Sequence, residues 1–152
     1  MREIYGNLWD VEADLRVIMT NGDVNRDGAA VMGRGCAREA KDHVTGLEYH
    51  FGTLLRRHGN RVMRLTKPKK GAALASFPIK HHWHESADPA LIRRSANQLL
   101  ALATKFGYCQ DVIPRPGCGN GSLRWTDVRA IFAELLDDRF SVITFAPKGP
   151  NG

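Results

Sequence analysis

The sequence predicts an α/β fold in which a mostly parallel sheet is covered by helices on both faces. Short apolar segments typical of strands alternate along the 152 residues with longer segments of helical periodicity. Such alternation favours parallel neighbouring strands. The predicted strands that end at Thr20 and Pro114 each run into a polar, glycine-rich loop, and a predicted helix follows each loop. Because ligands of open α/β sheets bind outside the carboxyl ends of the strands, the two loops indicate a ligand site.

The first half of the chain supplies four predicted strands and two predicted helices. The helix over residues 46–58 places Leu47, Phe51, Leu54 and Leu55 on one face, as in an amphipathic helix. A turn over residues 67–71 separates the third and fourth strands. The predicted strands cover residues 4–8, 15–20, 62–65 and 72–79, and the other helix covers residues 36–41.

The second half begins with the helix whose ends are best marked. Asp88 is a suitable N-cap, Pro89 fits the first helical position, and Gly107 ends an apolar pattern that reaches Phe106. Residues 148–152 are predicted to be a flexible tail, after a single domain over residues 1–147. The remaining predicted elements are a strand over residues 108–114, a helix over 126–138 and a strand over 140–146.

Composition excludes several classes of protein. Hydrophobic residues make up 43% of the chain, but no apolar run approaches the roughly 20 residues that span a bilayer. The N-terminal residues lack the apolar segment of a secretory signal peptide. Cys36, Cys109 and Cys118 are odd in number and lack metal-ligand spacing, which argues against a disulfide framework and a zinc site. We therefore expect a cytoplasmic protein without a metal and without membrane contact.

Positive charge is the main bias of the composition. The formal net charge is +6, with a pI of about 9.5. A basic surface favours an anionic partner such as nucleic acid, although a solvated surface that aids solubility has the same composition. No exposed apolar stripe is predicted, so we expect a monomer. The basic residues that cluster in the middle of the chain are Arg56, Arg57, Arg61, Arg64, Lys67, Lys69, Lys70 and Lys80.

The two glycine-rich loops are suited to an anionic ligand. Glycines in residues 21–37 and 116–122 allow the backbone to turn sharply or to approach a ligand closely. Free N–H groups and the positive end of the following helix favour a phosphate. The second loop lacks the Walker A and dinucleotide patterns. Together the loops indicate a ligand with two phosphates, or a phosphate and a sugar; tight turns that merely join two elements are the alternative.

Three segments together resemble the macro domain family. Residues 31–37 (VMGRGCA) resemble its first loop, VMG-x-G-x-A. Residues 116–125 (PGCGNGSLRW) resemble its second loop, GCG-x-GGL-x-W, with Ser122 in place of a glycine. Residues 77–83 (FPIKHHW) are similar to the FP-x-K-x-x-W segment of one branch. That branch holds the terminal ADP-ribose protein glycohydrolase and an antitoxin that removes ADP-ribose from thymine in DNA. The segments follow the family's order and spacing, and the resemblance covers essentially the whole chain.

The resemblance implies a three-layer α/β/α macro-domain sandwich with a mixed, mostly parallel central sheet and an ADP-ribose cleft at the strand ends. It places Asn21 at the distal ribose and Phe145 near the adenine. Asn7 takes the place of an aspartate that accepts a hydrogen bond from the adenine amine. The implied ADP-ribose-binding residues are Asn7, Leu8, Asn21, Val31, Met32, Gly33, Gly35, Cys36, Pro116, Gly117, Cys118, Gly119, Asn120, Gly121, Ser122, Leu123 and Phe145.

The resemblance also implies where chemistry would occur. Lys80 matches the lysine that is essential for removing ADP-ribose in that branch, where it attacks or orients the anomeric carbon of the distal ribose. Asn21 is the second predicted catalytic residue. An amine attacks only when it is neutral, and burial or a nearby cation such as His81, His82 or Arg115 would promote that state. A surface lysine in a basic chain is the alternative.

One carboxylate is missing from the second loop. The terminal glycohydrolase has an aspartate there, whereas this chain has Gly121, as the antitoxin-like members do. Asp23 and Asp27 of the first loop could supply a carboxylate instead, although capping of turns is their simpler role.

The segment after Lys80 supplies the predicted nucleic-acid contacts, His81, His82 and Trp83. Trp83 could stack on a base, or it could be a packed aromatic residue. His82 and His84 would share one side of an extended segment, but two histidines without a third ligand do not predict a metal site. Cys118 has no histidine beside it in sequence, so a nucleophilic role is not favoured.

The leading hypothesis is an ADP-ribosyl glycohydrolase that removes ADP-ribose from a modified macromolecule, with DNA favoured over protein. ADP-ribose is then the ligand, and no cofactor is required. The alternatives are a non-catalytic ADP-ribose reader, a phosphatase or deacetylase that acts on a free ADP-ribose derivative, and a nucleic-acid-binding module without nucleotide specificity.

Overall fold

A computed structural model of the chain describes residues 1–118 and 122–147. In these residues six strands form one sheet and four helices cover its two faces, which confirms the predicted α/β/α sandwich. The predicted tail over residues 148–152 lies outside the described residues. None of the described helices is long and apolar enough to cross a membrane. The elements are β1 (Arg2–Tyr5), β2 (Leu15–Thr20), α1 (Gly35–His43), α2 (Leu47–His58), β3 (Arg64–Thr66), β4 (Ala73–Pro78), α3 (Pro89–Phe106), β5 (Asp111–Pro114), α4 (Trp125–Leu135) and β6 (Phe140–Thr144).

The strand order of the sheet is β1-β6-β5-β2-β4-β3. Neighbouring strands run parallel except β3 and β4, which are antiparallel, so the sheet is mixed and mostly parallel, as predicted. β2 and β4 pair over their whole length, from Leu15 with Ala73 to Thr20 with Pro78. The segments that follow these two strands therefore start side by side.

By contrast, β2 and β5 separate toward their carboxyl ends. Their register joins Leu15 to Asp111 and Arg16 to Val112, at the amino ends of both strands, and extends no further. The sheet is therefore open between β2 and β5 at the edge where the two glycine-rich loops begin.

The Cys36 thiol bonds to β2 at a position where β5 no longer pairs with this strand. Thr20 O accepts from Ile79 N on the β4 side at 3.1 Å. Because alternate residues of a strand in a parallel sheet bond to opposite neighbours, Met19 faces β5. Its N–H donates to Cys36 Sγ at 3.3 Å. Burial raises the pKa of this thiol to about 11, so Cys36 stays protonated.

Each face of the sheet packs against its own pair of helices. α3 and α4 cover one face, where Phe77 of β4 and Phe132 of α4 meet edge to face with their ring centroids 6.0 Å apart. α1 and α2 cover the other face, where Ile18 of β2 and Phe51 of α2 belong to one buried cluster. Val17 and Ile18 are buried on opposite faces, which explains the nearly continuous apolar sequence of β2.

The first strand was predicted too late in the chain, over residues 4–8 instead of Arg2–Tyr5. Gly6 has a φ of +154°, and Asn7 then starts a turn in which its Oδ1 accepts from Trp9 N at 3.0 Å. Gly6 N still donates to Thr144 O of β6 at 2.9 Å, and the turn then takes residues 7 and 8 out of the sheet. They reach the carboxyl-end edge as a loop.

The fifth strand starts later than predicted, at Asp111 instead of residue 108. Asp14 Oδ2 accepts from the backbone N–H groups of Cys109 and Gln110, at 2.9 and 3.0 Å, so these groups are not available to a neighbouring strand. The other predicted elements agree with the structure to within three residues at each end.

Asp111 is a buried carboxyl group at the end of the sheet opposite the glycine-rich loops. Its two carboxyl oxygens have no hydrogen-bond partner among the described residues. Burial, reinforced by the charge of Asp14, raises its pKa from 3.8 to about 7. The folded chain therefore keeps a proton on Asp111 at mildly acidic pH.

We expect Asp111→Asn to remove a pH dependence of stability. Between about pH 4 and pH 7, folded Asp111 holds a proton that the unfolded chain has lost. The contribution of Asp111 to the free energy of unfolding then falls by about 1.4 kcal/mol per pH unit and levels off above this range. In urea unfolding, the variant should gain about 2 kcal/mol relative to the native chain from about pH 5 to about pH 7. Asp42→Asn, at an exposed position, should show no such gain. Parallel pH curves for Asp111→Asn and the native chain would contradict this expectation.

Candidate functional site

A cleft of about 660 Å³ lies at the carboxyl ends of the parallel strands. The segments that follow β1, β2, β4, β5 and β6 all contribute to its walls. Its volume falls within the range of small-molecule sites, roughly 300–1,000 Å³. The lining residues that the sequence analysis singled out are Asn7, Leu8, Asn21, Val31, Met32, Gly33, Gly35, Cys36, Lys80, Trp83, Arg115, Gly117 and Phe145.

The first loop brings the amino end of α1 to the cleft. Arg34 is the N-cap of α1, and its side chain makes no capping hydrogen bond. The first turn has no acidic residue, and Gly35, Cys36 and Ala37 line the cleft. The N–H groups of a first helical turn have no partner within the helix, and the helix dipole adds positive potential. This end of α1 is therefore suited to a phosphate.

Asn21 holds the first loop in shape. Its Nδ2 donates to Val31 O at 3.1 Å, and its Oδ1 accepts from Asp23 N at 2.9 Å. Asn21 also lines the cleft at the end of β2. The structure thus gives Asn21 a role in shaping the loop, while its catalytic role and its contact with the distal ribose stay predictions.

The first loop also rests on α2. Ala30 N donates to Glu48 O at 2.8 Å. One turn further along α2, Gly28 O lies so close to Gly52 that a Cβ built on Gly52 would be 1.9 Å from this oxygen. A glycine in a helix interior normally weakens the helix, but here it allows the loop to approach.

The second loop contributes Gly117 to the cleft. Gly117 is buried with a φ of +73°, and its O accepts from Leu123 N at 2.8 Å across the loop. Ser122, where the family pattern has a glycine, has a φ of +66°, in the left-handed region that glycine adopts more easily. The predicted contacts that lie outside the described residues are Gly119, Asn120 and Gly121.

The other described residues of the second loop lie beside the cleft. Pro116 is buried, and neither Pro116 nor Cys118, Ser122 or Leu123 is among the described lining residues. Burial raises the pKa of the Cys118 thiol, which disfavours the nucleophilic thiolate. Contacts of these residues with ADP-ribose stay predictions.

The segments after β1 and β6 form the predicted adenine end. Phe145 lines the cleft and is 72% exposed, so its ring is open to a ligand. Leu8 is buried beneath the same end. Asn7 Oδ1 already accepts from Trp9 N. An amide oxygen has two lone pairs, so Asn7 keeps one acceptor position and its NH₂ group for a ligand.

Lys80 lies on the cleft wall two residues after β4 ends. It is half-buried, and its backbone O accepts from Asn60 Nδ2 at 3.1 Å. Within the part of the chain that the structure describes, its ammonium group forms no ion pair. The backbone of Lys80 is thus fixed, while its amino group is available to a ligand.

Several residues of the cleft were missed from the sequence. Glu39 of α1 and Glu85 bring two carboxylates to the wall. Thr20 is buried there, and its Oγ1 has no partner among the residues described. The available signals were the strand end at Thr20 and the second turn of α1 at Glu39, whereas no local signal marks Glu85.

The predicted nucleic-acid contacts divide between the cleft and its outer rim. Trp83 lines the cleft and is 56% exposed, so it is not the packed aromatic residue considered above. His81 and His82 are exposed outside the cleft lining. The rings of His82 and His84 stack with centroids 5.9 Å apart. In residues 1–118 and 122–147, no group of three His, Cys, Asp or Glu side chains could hold a metal ion.

Apart from Lys80, the basic residues of the central cluster are not among the described residues that line the cleft. Lys67, Lys69 and Lys70 lie in the turn between β3 and β4, at the opposite end of the sheet. The Arg64 guanidinium carbon lies 3.7 Å from the centre of the Phe106 ring. The described cationic residues that do line the cleft are Arg34, Lys80 and Arg115.

Solved structures share the fold of this chain. No family model and no curated protein matches the sequence. The macrodomain of Mycobacterium tuberculosis DarG aligns with a TM-score of 0.79 at 22% identity, over 95% of this chain and 98% of that one. The macrodomain of Thermus aquaticus DarG gives 0.78 at 21% identity, over 96% and 97%. Thermosipho africanus DarTG in complex with ADP-ribose gives 0.77 at 17% identity, over 99% of this chain and 43% of that one.

Proposed function

We propose, from the macro-domain fold that the chain shares with these structures, that it binds ADP-ribose and acts as an ADP-ribosyl glycohydrolase. The proposed substrate is an ADP-ribosylated macromolecule, DNA rather than protein, and no cofactor takes part. The observation that carries the proposal is the composition of the cleft, in which the amino end of α1, the exposed ring of Phe145 and the amino group of Lys80 lie together.

The cleft offers a different contact to each part of ADP-ribose. The first turn of α1 and the backbone at Gly117 would hold the pyrophosphate. Phe145 offers an aromatic face to the adenine, and Asn7 offers an amide to its polar edge. The ADP-ribose complex of the Thermosipho africanus protein, which has a similar fold, supports this choice of ligand.

Lys80 would act at the anomeric carbon of the distal ribose. With the pyrophosphate on α1, the distal ribose would extend toward the ends of β2 and β4, where Asn21 and Lys80 line the cleft. As a neutral amine, Lys80 would attack the anomeric carbon while the bond to the carrier breaks and its electron pair leaves with the carrier, and water would then release ADP-ribose from the lysine nitrogen. As an ammonium group, Lys80 would instead stabilise charge on the leaving group while water attacks. Glu85, in the same segment, could accept a proton from an attacking water.

DNA is favoured as the carrier for two reasons. The net charge of +6 attracts a polyanion. Trp83, exposed at the edge of the cleft, could stack on a base beside the modified one. A protein modified on acidic residues would use neither feature.

The experiment that tests the proposal measures ADP-ribose release from thymine-modified single-stranded DNA and from protein modified on acidic residues. We expect release from the DNA and not from the protein. Failure to cleave either carrier, with ADP-ribose bound in calorimetry, would make the chain a reader. Release of phosphate or acetate from a free ADP-ribose derivative would make it a hydrolase for such compounds. Salt-sensitive binding to unmodified DNA, unaffected by ADP-ribose, would indicate a nucleic-acid-binding module.

A further inference from the structure

A single carboxylate joins two loops at the edge of the cleft. Asp23, in the loop after β2, accepts from His82 Nδ1 through Oδ1 and from Trp83 N through Oδ2, each at 2.8 Å. Both oxygens therefore bond to consecutive residues of the segment after β4. A third contact joins the same loops, because Gly22 N donates to His81 O at 3.0 Å.

These contacts fix the segment over residues 80–83 at every residue. Lys80 O is held by Asn60 Nδ2 at 3.1 Å, and His81 O is held by Gly22 N. A Cβ built on Gly22 would lie 2.9 Å from His81 O, so the two loops are closely packed. Asp23 binds the next two residues of the segment, His82 and Trp83. The capping of a turn in its own loop, considered from the sequence, is therefore not what its carboxylate does.

Opposite charges on Asp23 and His82 strengthen the hydrogen bond between them. Burial alone would raise the pKa of Asp23, but the hydrogen bonds from His82 and Trp83 outweigh burial and lower it. The hydrogen bond with Asp23, and the charge of that carboxylate, raise the pKa of His82. The other titratable groups that face His82 are His84, which stacks on its ring, and Glu85, whose Oε1 accepts from His82 N at 2.7 Å.

We propose that Asp23 is a positioning residue, which holds His82 and Trp83 and thereby fixes the segment that presents Lys80 and Trp83 to the cleft. The inference rests on the proposed glycohydrolase function. Asp23 is not among the described residues that line the cleft. It therefore acts through His82 and Trp83, without contact to ADP-ribose.

The test compares Asp23→Asn and Asp23→Ala with the control Asp27→Asn. Asparagine keeps one acceptor for Trp83 N but loses the charge toward His82, whereas alanine loses both contacts. Asp27 lies in the same loop, and its described bonds are to Ala29 N and Tyr49 OH, neither in residues 80–83.

We expect the kcat of ADP-ribose release to fall about 10- to 100-fold in Asp23→Ala and less in Asp23→Asn. The Kd for ADP-ribose should stay within about threefold of the native value, since the phosphate and adenine contacts are unaffected. Asp27→Asn should leave both quantities unchanged. A native kcat in Asp23→Ala, or an equal loss in Asp27→Asn, would overturn the proposal.

Two readouts separate positioning from a general loss of stability. His82 is charged below its raised pKa, so the attraction to Asp23 is lost as pH rises through that pKa. The native kcat should fall over this range, and Asp23→Asn should move the midpoint to lower pH. Hydrogen exchange at the Trp83 amide should be at least about tenfold faster in Asp23→Ala.

The exchange measurement does not depend on turnover. A native chain that releases no ADP-ribose from any carrier would refute the proposed glycohydrolase, but it would leave the exchange test intact. Unchanged exchange at the Trp83 amide in Asp23→Ala would refute the role of Asp23, whether or not the chain is an enzyme.

Discussion

Lys80→Ala is expected to lower the rate of ADP-ribose release by about 100-fold or more. ADP-ribose affinity should stay within about threefold, because the pyrophosphate and adenine contacts lie elsewhere in the cleft. Lys80 forms no ion pair within the described residues, so its side chain can be removed without breaking such a structural contact. Initial rates on modified DNA and calorimetry with ADP-ribose give the two quantities.

Two further variants make this result specific. Lys70→Ala, in the exposed turn at the opposite end of the sheet, removes the same charge and should leave the rate unchanged. Lys80→Arg keeps the positive charge but cannot supply a neutral amine. Retained activity in Lys80→Arg would favour charge stabilisation over attack by nitrogen. Full activity in Lys80→Ala would show that this lysine does not take part in the reaction.

Gly52→Ala is expected to destabilise the chain by about 3 kcal/mol, against the trend of helix propensity. Alanine in a helix interior is normally about 1 kcal/mol better than glycine. Here the added Cβ would lie 1.9 Å from Gly28 O and 3.1 Å from Ala30 N, both backbone atoms of the first loop. Either α2 or the loop must move, and overpacking of this kind costs about 1–3 kcal/mol, occasionally more.

Thermal unfolding and calorimetry with ADP-ribose would measure the effect of Gly52→Ala. We expect the melting temperature to fall by roughly 10 °C and the affinity for ADP-ribose to weaken, because the displaced loop continues into the amino end of α1. Thr53→Ala places alanine at the next, exposed position of α2 and should be neutral or slightly stabilising. A stable Gly52→Ala variant would mean that α2 does not constrain the loop.

Local patterns in the sequence were sufficient to predict most of the fold. Asp88 and Gly107 mark the ends of α3 in the structure, where Asp88 Oδ1 accepts from Ala90 N and Gly107 has a φ of +71°. β2 was predicted without error, because a strand buried on both faces has a nearly continuous apolar sequence. Where these signals were weak, the predicted ends were displaced, as at β1, which ends just before Gly6.

Among the residues of the site, too, those that belong to local sequence motifs were predicted and the others were not. Val31, Met32 and Lys80 belong to short motifs and do line the cleft. Thr20 and Glu85 also line it, but they come from single positions whose contribution depends on how distant segments pack. The bond between Asp23 and His82 joins residues 59 positions apart. No local propensity describes such a pair, since the parallel pairing of β2 and β4 is what brings their loops together.

The open seam between β2 and β5 divides the sheet into two three-stranded plates, β1-β6-β5 and β2-β4-β3. Among the described residues, β2 and β5 pair at Leu15 and Arg16, and the N–H groups of Asp14 and Leu15 also donate to Gln110 O, so the two plates are joined at the end near the buried Asp111. A molecule bound across the seam would touch loops from both plates and act as a crosslink at the far end. Motion of one plate relative to the other would then be reduced throughout both plates, including the strands that do not contact the bound molecule.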